Sequence, residues 1–406
     1  MSAPPAIVVC CSKAGLAVAR ALGAHGIRVI GVWYGRTRLA ASSRFVKSRY
    51  HAPDPDQDAS GFTDFLLSLS NSLSGAVLFP TDDASLLALS RYKERLEGQY
   101  HVVAEDWPVV RQLLTKLSTY ELATRYGVPC PLVQKIDNAA DAAAFARDVG
   151  FPCLIKPSVG HTFFARYRAK MVLVHTLDEL KDWISRLGEY SDELMLSEYI
   201  PGDDTSGVNY NSYYSGGRPF CEFTARKVRL KPERIGFPTV VKSCRVPEVL
   251  EHGRTMLQTI RYRGFSCMEF KRDRRDGSYK LMEINARHNF SGMLALRCGL
   301  DFPYLSYADA IGAALPSPPA DWPRDIFWID EERDAKGLAS SARHGPRAAL
   351  AYAKPYLRKR VFAVFSSRDP LPSFRQATEA VLHTIKRKNG PDREAASRAA
   401  EKQAKA

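Results

Sequence analysis

Three side chains in the run Lys280–Gly292 have types and spacing that suit phosphoryl chemistry: Glu283, Asn285 and Arg287. If this run is a strand, the three project from one face, because side chains alternate with a period of two. A carboxylate and an amide oxygen suit Mg²⁺, and an arginine can donate two hydrogen bonds to a phosphate or an acyl phosphate. An edge strand with a solvated polar face would show the same spacing, so this run alone leaves both interpretations open.

A second carboxylate, Glu269, precedes Glu283 by fourteen residues, and the turn Arg274–Gly277 lies between them. Antiparallel pairing across that turn would bring the two carboxylates together. Two carboxylates at one place repel each other unless a cation lies between them. The pair therefore favours a metal site more strongly than either residue alone.

Upstream residues could supply cations and a nucleotide-binding hinge. Lys116 lies at the start of a predicted helix, and Lys156 ends a short apolar strand, where an anion opposite the lysine would offset the cost of burying its charge. The predicted strand Leu196–Gly202 stops at a Pro-Gly turn, where exposed backbone can hydrogen-bond an adenine edge. Asp203 and Asp204 follow and could accept hydrogen bonds from ribose hydroxyls.

The order of five segments resembles the ATP-grasp superfamily over about residues 1–312. These segments are Lys116, Ile155–Pro157, Ser197–Gly202, Met268–Phe270 and Glu283–Arg287. Within the superfamily the chain is similar to carboxylate-amine ligases such as D-aspartate ligase and to the ATP-binding half of carbamoyl-phosphate synthase. Ser367–Pro372 also resembles that ligase group.

The resemblance implies an ATP and Mg²⁺ (or Mn²⁺) site. Phosphates of ATP would be bound by Lys116 and Lys156, the adenine by backbone groups of Glu198 and Ile200, and the ribose by Asp204. The implied metal ligands are Glu269, Glu283 and Asn285, and the implied catalytic residues are Arg287 and Lys156. The loop over the phosphates departs from the resemblance, because residues 158–165 contain one glycine and two phenylalanines where relatives are rich in glycine and serine. This loop is nevertheless the expected lid, and His161 lies in it.

Substrate-binding residues are harder to identify from the sequence. Arg226, Lys227 and Arg245 could bind carboxylates from neighbouring strands, although a solvated strand face would carry the same residues. His288 could orient a substrate or act as a base, and a structural histidine is the equally compatible alternative.

The implied reaction activates a carboxylate as an acyl phosphate, releasing ADP, and then joins it to an amine with release of phosphate. The expected partners are amino-acid or peptide-like small molecules, and no nucleic acid is expected. Two alternatives stay open. One is a nucleotide-binding protein with little turnover that acts through a basic tail, and the other is an enzyme that forms carboxy phosphate or carbamoyl phosphate from bicarbonate.

The sequence predicts an α/β fold that brings these residues together. A chain of 406 residues that is 45% hydrophobic is long and apolar enough to form several domains. We expect a doubly wound α/β domain at residues 1–104, as precedes the grasp domain in the family, and a two-lobed α+β ATP-grasp domain at 105–315. A proline linker and a basic helical extension are expected at 316–406, with helices at Ala348–Phe365 and Gln376–Lys386. The first β-α-β unit lacks a glycine-rich dinucleotide fingerprint, so a nicotinamide cofactor is not indicated.

Charge and cysteines restrict the protein class further. The net charge is +14, and residues 331–406 contribute 17 − 8 = +9 of it, so that an acidic protein or a membrane surface could contact the tail. The eight cysteines contain no C-x-x-C pair, which favours reduced thiols over a zinc site or disulfides. No segment has 18 uninterrupted apolar residues and no secretory signal is evident, so a cytoplasmic protein of open oligomeric state is expected.

Overall fold

Three β-sheets organise the computed structural model of the chain, which describes residues 3–35, 38–136, 138–157, 171–187, 194–234, 236–342 and 345–389. The strands are β1 (Ala6–Val9), β2 (Val29–Trp33), β3 (Val46–His51), β4 (Val77–Pro80), β5 (His101–Val102), β6 (Val133–Lys135), β7 (Cys153–Pro157), β8 (Val172–Val174), β9 (Leu194–Glu198), β10 (Gly207–Ser215), β11 (Arg218–Lys231), β12 (Phe237–Cys244), β13 (Gly264–Arg272), β14 (Tyr279–Asn285), β15 (Phe327–Ile329) and β16 (Arg360–Phe362).

Helices cover the sheets and connect them. They are α1 (Lys13–Ala24), α2 (Ala59–Ser68), α3 (Ser70–Leu73), α4 (Asp83–Arg91), α5 (Lys93–Glu97), α6 (Trp107–Leu113), α7 (Lys116–Arg125), α8 (Ala139–Val149), α9 (Leu177–Leu187), α10 (Pro247–Thr259), α11 (Gly292–Arg297), α12 (Phe302–Ala310), α13 (Glu331–Ala342), α14 (Pro346–Ala353) and α15 (Leu371–Asn389). Short 3₁₀ turns occur at Ala40–Ser42, Asp204–Ser206 and Lys354–Leu357. Within the described ranges, no helix combines the length and apolar composition needed to cross a membrane.

The first sheet is parallel, with strand order β3-β2-β1-β4-β5. Alternate residues of β1 enter two separate cores, because Ile7 and Val9 pack on one face and Ala6 and Val8 on the other. The strand order reverses between β1 and β4, and in such sheets the crevice at the carboxyl ends of the strands binds ligands. The predicted doubly wound α/β domain is confirmed.

The second sheet has strand order β6-β9-β7-β8 and is antiparallel. Its core contains Ile155, Leu194 and Leu196, with α8 and α9 contributing Ala146 and Leu180. This small sheet carries Lys156 and ends at the Glu198 hinge.

The third sheet has seven strands in the order β14-β13-β10-β11-β12-β15-β16 and is antiparallel except at the β15–β16 pair. On one face, Tyr210 and Phe270 pack in a core with Met256 of α10. On the other face, Phe223 packs in a core with Leu16 of α1, which joins this sheet to the first domain. The two cores explain why β10 and β13 are mostly buried on both sides.

The sequence prediction for residues 316–406 is partly wrong. Instead of a single helix at Ala348–Phe365, α14 ends at Ala353 and β16 follows; β15 and β16 extend the third sheet. β12 would otherwise leave an unpaired edge, and the apolar Phe327–Ile329 covers it. Trp328 is 1% exposed, so Phe327–Ile329 belongs to the folded body.

Candidate active site

Glu269 and Glu283 lie directly opposite each other on β13 and β14, and Cys267 lies opposite Asn285. The predicted pairing of the two carboxylates is therefore confirmed. β14 ends at Asn285, so Arg287 follows just beyond the strand. The side chains of Glu269 and Glu283 are 29% and 43% exposed, so both remain partly accessible to solvent.

Each of these carboxylates has a lysine beside it. Lys116 Nζ is 3.4 Å from Glu283 Oε1, and Lys227 Nζ is 2.5 Å from Glu269 Oε2. Burial lowers the pKa of Lys227, but the charge of Glu269 outweighs it and the net shift is upward. Lys116 is placed by the Thr115 side chain, which caps α7 by accepting a hydrogen bond from the Ser118 backbone N–H.

The donor set fits Mg²⁺. Two carboxylates and one amide provide hard oxygen ligands, and Mg²⁺ normally takes its other positions from water and substrate phosphates. Among the described residues, no three His, Cys, Asp or Glu side chains converge as a closed zinc site would require. Glu269, Glu283 and Asn285 stay the predicted ligands of a magnesium ion.

Lys156 is the buried lysine of the site. Its side chain is 3% exposed, and Nζ donates a hydrogen bond of 3.1 Å to Ser197 Oγ and lies 6.0 Å from the centre of the Tyr120 ring. Burial, reinforced by the charges of Lys116 and Lys271, lowers the pKa of Lys156 to about 7. It forms no ion pair with any carboxylate in the described part of the chain.

Part of the hinge after β9 already forms hydrogen bonds and ion pairs within the protein. The Glu198 backbone N–H donates to the Leu132 carbonyl at 2.8 Å, and the Glu198 side chain lies 3.4 Å from Lys280 Nζ and contacts the guanidinium of Arg275. The backbone of Ile200 forms no hydrogen bond with other described residues. An adenine contact at Ile200 is compatible with this geometry and stays a prediction.

Asp204 has a structural partner at each carboxylate oxygen. It accepts hydrogen bonds from the backbone N–H groups of Leu230 and Arg234, at 2.8 and 2.7 Å. These bonds fix the end of β11 beside the hinge. Each oxygen retains a lone pair, so a ribose contact stays a prediction.

Arg287 connects the metal segment to the first domain. Its guanidinium donates to both carboxylate oxygens of Asp83, at 2.6 and 3.0 Å. Burial lowers the pKa of Arg287, but the charge of Asp83 outweighs this effect and the net shift is upward. Asp83 begins α4 at the carboxyl end of β4, beside the crevice where the strand order reverses. Sequence reasoning missed this residue, although its position after a buried parallel strand was a usable signal.

The predicted substrate residues Arg226 and Lys227 lie on opposite faces of β11. Arg226 lies opposite Val208, on the face of the third sheet that does not carry Glu269, and donates 2.9 Å hydrogen bonds to the Thr205 carbonyl and the Tyr279 hydroxyl. The prediction for Arg226 is wrong because strand alternation points it to the opposite face. Lys227, the next residue, lies on the carboxylate face but pairs with Glu269.

The other two substrate predictions are also corrected. Arg245 lies 3.3 Å from Asp321 Oδ1 and 5.2 Å from the centre of the Trp322 ring, and no contact joins it to the metal segment within the described residues. His288 is 5% exposed and stacks on Phe265 with ring centres 4.3 Å apart. Burial lowers its pKa to about 3, which favours the neutral ring, and its Nε2 has no hydrogen-bond partner among the described residues. The expected lid at 158–165, including His161, lies outside the described residues.

Two asparagines of β10, which local sequence did not indicate as site residues, share the carboxylate face. Asn209 lies opposite Glu269, and Asn211 lies opposite Cys267 on β10. Asn289 Nδ2 donates to Asn211 Oδ1 at 2.7 Å. Buried Asn209 Oδ1 has no hydrogen-bond partner among the described residues. The alternating asparagines in β10 were the available signal for this polar face.

Comparison with known proteins agrees with the motifs. No protein-family model matches the chain. D-aspartate ligase from Enterococcus faecium (strain Aus0004) is 25% identical over 242 residues, which cover 55% of this chain and 56% of that ligase. The match therefore spans little more than half of the relative's length.

Solved structures share the fold at low sequence identity. The biotin carboxylase domain of Hydrogenobacter thermophilus 2-oxoglutarate carboxylase, a complex with MgADP, ADP and bicarbonate, superposes with a TM-score of 0.64 at 17% identity, covering 80% of this chain and 74% of that one. Carboxyaminoimidazole ribonucleotide synthase from Aspergillus clavatus, complexed with ATP, gives a TM-score of 0.63 at 13% identity over 83% and 87% of the two chains. N5-carboxyaminoimidazole synthetase from Staphylococcus aureus gives 0.61 at 16% identity over 78% and 79%. The chain therefore has the ATP-grasp fold of these structures and is similar to D-aspartate ligase over little more than half of its length.

Proposed function

We propose that this protein is an ATP-dependent carboxylate-amine ligase that uses amino-acid or peptide-like substrates. One observation carries the proposal: Glu269 and Glu283 lie opposite each other on neighbouring strands, and Lys116 Nζ is 3.4 Å from Glu283 Oε1. Lys156, near the end of β7 in the second sheet, is a buried lysine without an ion-pair partner in the described residues. A binding scaffold without turnover has no physical need for this set of charges. Because the reaction consumes ATP, we place the protein in the cytoplasm, which cell fractionation would test.

The proposed reaction has two steps. An oxygen of the substrate carboxylate attacks the γ-phosphorus of ATP, and the bond to the bridging oxygen breaks to release ADP. The amine nitrogen then attacks the acyl carbon, phosphate leaves with the electron pair of the C–O bond, and the nitrogen loses a proton. Catalysis here requires positioning and charge stabilisation more than covalent participation by the protein.

Individual side chains have distinct roles in this scheme. Lys116 and Lys156 bind phosphate oxygens, and Arg287, held by Asp83 at 2.6 Å, stabilises the transferred phosphoryl group and the acyl phosphate. Glu269, Glu283 and Asn285 would hold the metal. Mg²⁺ bound there supplies positive charge to the phosphate oxygens.

The test is ADP release measured against a matrix of acids and amines, starting with D- and L-aspartate because D-aspartate ligase is a relative. Stoichiometric ADP and phosphate should form only when an acid and an amine are both present with Mg²⁺. ATP cleavage that responds to bicarbonate instead would favour a carboxy phosphate enzyme. Nucleotide binding without ADP release across the matrix would contradict a ligase.

Neighbouring residues on β11 give a matched control. Lys227→Gln removes the partner of Glu269 and should lower turnover, because the pair lies on the carboxylate face. Arg226→Gln changes the adjacent cation on the opposite face and should leave turnover intact. Equal losses in both variants would show that the activity does not depend on the carboxylate face.

A further inference from the structure

The C-terminal helix α15 presents its apolar side chains to solvent. Leu371, Phe374, Val381 and Leu382 are 57%, 67%, 58% and 56% exposed. At 3.6 residues per turn these four positions fall within an arc of about 100°. A surface helix with such a stripe normally turns it toward the core, so this orientation requires another explanation.

The opposite side of α15 contacts the protein. Gln376 Nε2 donates a 2.5 Å hydrogen bond to Glu332 Oε2, and Pro372 is buried. The first turns of the helix therefore pack through a polar contact and leave Leu371 and Phe374 outward. Residues 377–382 are all exposed, so the helix then projects from the body and leaves Val381 and Leu382 uncovered as well.

A buried ion pair anchors the start of this helix. Asp369 is 1% exposed and accepts hydrogen bonds from Arg20 Nε at 2.9 Å, from Ser43 Oγ at 2.7 Å and from the Arg44 backbone N–H at 2.9 Å. This contact attaches the segment before α15 to the first domain. The orientation of the first turn follows from these bonds.

Positive charge surrounds the stripe in the sequence. Residues 346–370 carry six Lys and Arg against one acidic residue, and Leu371–Asn389 carries four against one. Arg358, Lys359 and Arg360 are exposed and directly follow Leu357, which is 70% exposed. Apolar side chains interleaved with cations are typical of helices that lie at a membrane interface.

The positive charge also indicates which kind of partner can bind the apolar stripe. A second copy of this chain would bring two regions of net charge 17 − 8 = +9 together, and like charges oppose such pairing. An anionic lipid surface supplies opposite charge and an apolar layer together, and two such signals are what stable interfacial binding requires. We propose that α15 binds an anionic lipid surface, with its apolar stripe at the boundary between headgroups and acyl chains. This proposal does not depend on the ligase reaction.

The experiment is co-sedimentation of the full chain with vesicles of phosphatidylcholine alone and of phosphatidylcholine mixed with phosphatidylglycerol. We expect binding to the anionic vesicles only, and a steep loss as salt rises from roughly 0.05 M to 0.5 M because screening shortens the range of the attraction. Phe374→Glu and Leu371→Glu should each reduce the partition coefficient by about tenfold or more, because each puts a charge where an apolar side chain would enter the lipid.

Leu132→Glu is the matched control, since Leu132 is 61% exposed and lies in another region of the chain. It should bind vesicles like the natural protein. Equal binding to neutral vesicles, or equal losses in the Leu132 and Leu371 variants, would overturn the proposal. A dimer in solution that Phe374→Glu converts to a monomer, with no vesicle binding by either form, would assign the stripe to self-association and also overturn it.

Discussion

Lys156 provides a prediction that follows directly from its burial. The side chain is 3% exposed, and its pKa falls from 10.5 to about 7 because burial disfavours the charged form and Lys116 and Lys271 add like charge. Phosphate oxygens next to the ammonium group would restore the charged form. Nucleotide binding should therefore take up a proton whenever the pH lies above about 7.

The magnitude follows from the two pKa values. With a pKa of about 7, roughly one-tenth of Lys156 is protonated at pH 8 and nine-tenths at pH 6. Binding should therefore take up about 0.9 proton at pH 8 and about 0.1 at pH 6, and the affinity should fall toward tenfold per pH unit above pH 7. A full return to 10.5 would correspond to about 5 kcal/mol of nucleotide interaction at high pH, an upper bound.

Calorimetric titration with ADP in buffers of different ionisation enthalpy measures this uptake. Metal is left out so that Glu269 and Glu283 do not contribute protons. Lys156→Met should abolish the pH-dependent uptake, whereas Lys116→Met should reduce it, because removing one neighbouring charge raises the pKa of Lys156. Uptake that is absent at pH 8, or unchanged in Lys156→Met, would refute the assignment.

The same shift has a consequence for the stability of the ligand-free protein. The folded pKa lies below the unfolded value, so the unfolded chain binds more protons between pH 7 and 10.5. The contribution of Lys156 to the free energy of unfolding should therefore rise across that range and stay unfavourable below it. Lys156→Met should unfold at higher denaturant concentration at pH 6 while losing nucleotide affinity.

Three further substitutions test the remaining parts of the site and the fold. Glu283→Gln should lower ADP release by about 10²-fold and raise the Mg²⁺ concentration required, because one of two paired carboxylates is lost, while the exposed Glu121→Gln should change neither. Asp83→Asn should lower kcat with little change in the KM for ATP, because it loosens the arginine that it holds at 2.6 Å; a change confined to the KM would contradict that role. Asp369→Ala should lower the free energy of unfolding by about 3–5 kcal/mol in urea titrations, since it leaves a buried guanidinium without its partner. Asp321→Ala, at an exposed ion pair, should leave that free energy unchanged, and equal effects would refute the argument.

The parts of the site that local sequence could predict are those set by alternation and short turns. The opposition of Glu269 and Glu283 requires only the turn at Arg274–Gly277 and two strands of known direction. The capped start of α7 at Lys116 likewise depends on the neighbouring Thr115. In both cases the determining residues lie within a few positions of the functional side chain.

Contacts between segments distant in sequence could not be predicted from local sequence patterns. Arg287 meets Asp83 across 204 positions of sequence, and nothing near either residue specifies the other. To assign Arg226 and Lys227, one must know which face of β11 each side chain occupies. A shift of one residue in strand register exchanges the two faces, and the local sequence does not fix that register. The strands β15 and β16 are short, and pairing to the edge of β12 decides their conformation more than their own composition.

The charges of the site explain why nucleotide binding should centre on Lys156. Glu269 and Glu283 have lysines at 2.5 and 3.4 Å, and Arg287 has Asp83 at 2.6 Å, so these groups compensate one another without a ligand. Lys156 has only the hydroxyl of Ser197 at 3.1 Å and the face of Tyr120. A buried lysine without a carboxylate partner reduces stability, and its charged form requires an anion. Glu283 and Glu198 offset this only in part, and no described carboxylate lies within ion-pair distance of Lys156, so the phosphates of the nucleotide are the counter-charge that this arrangement accommodates.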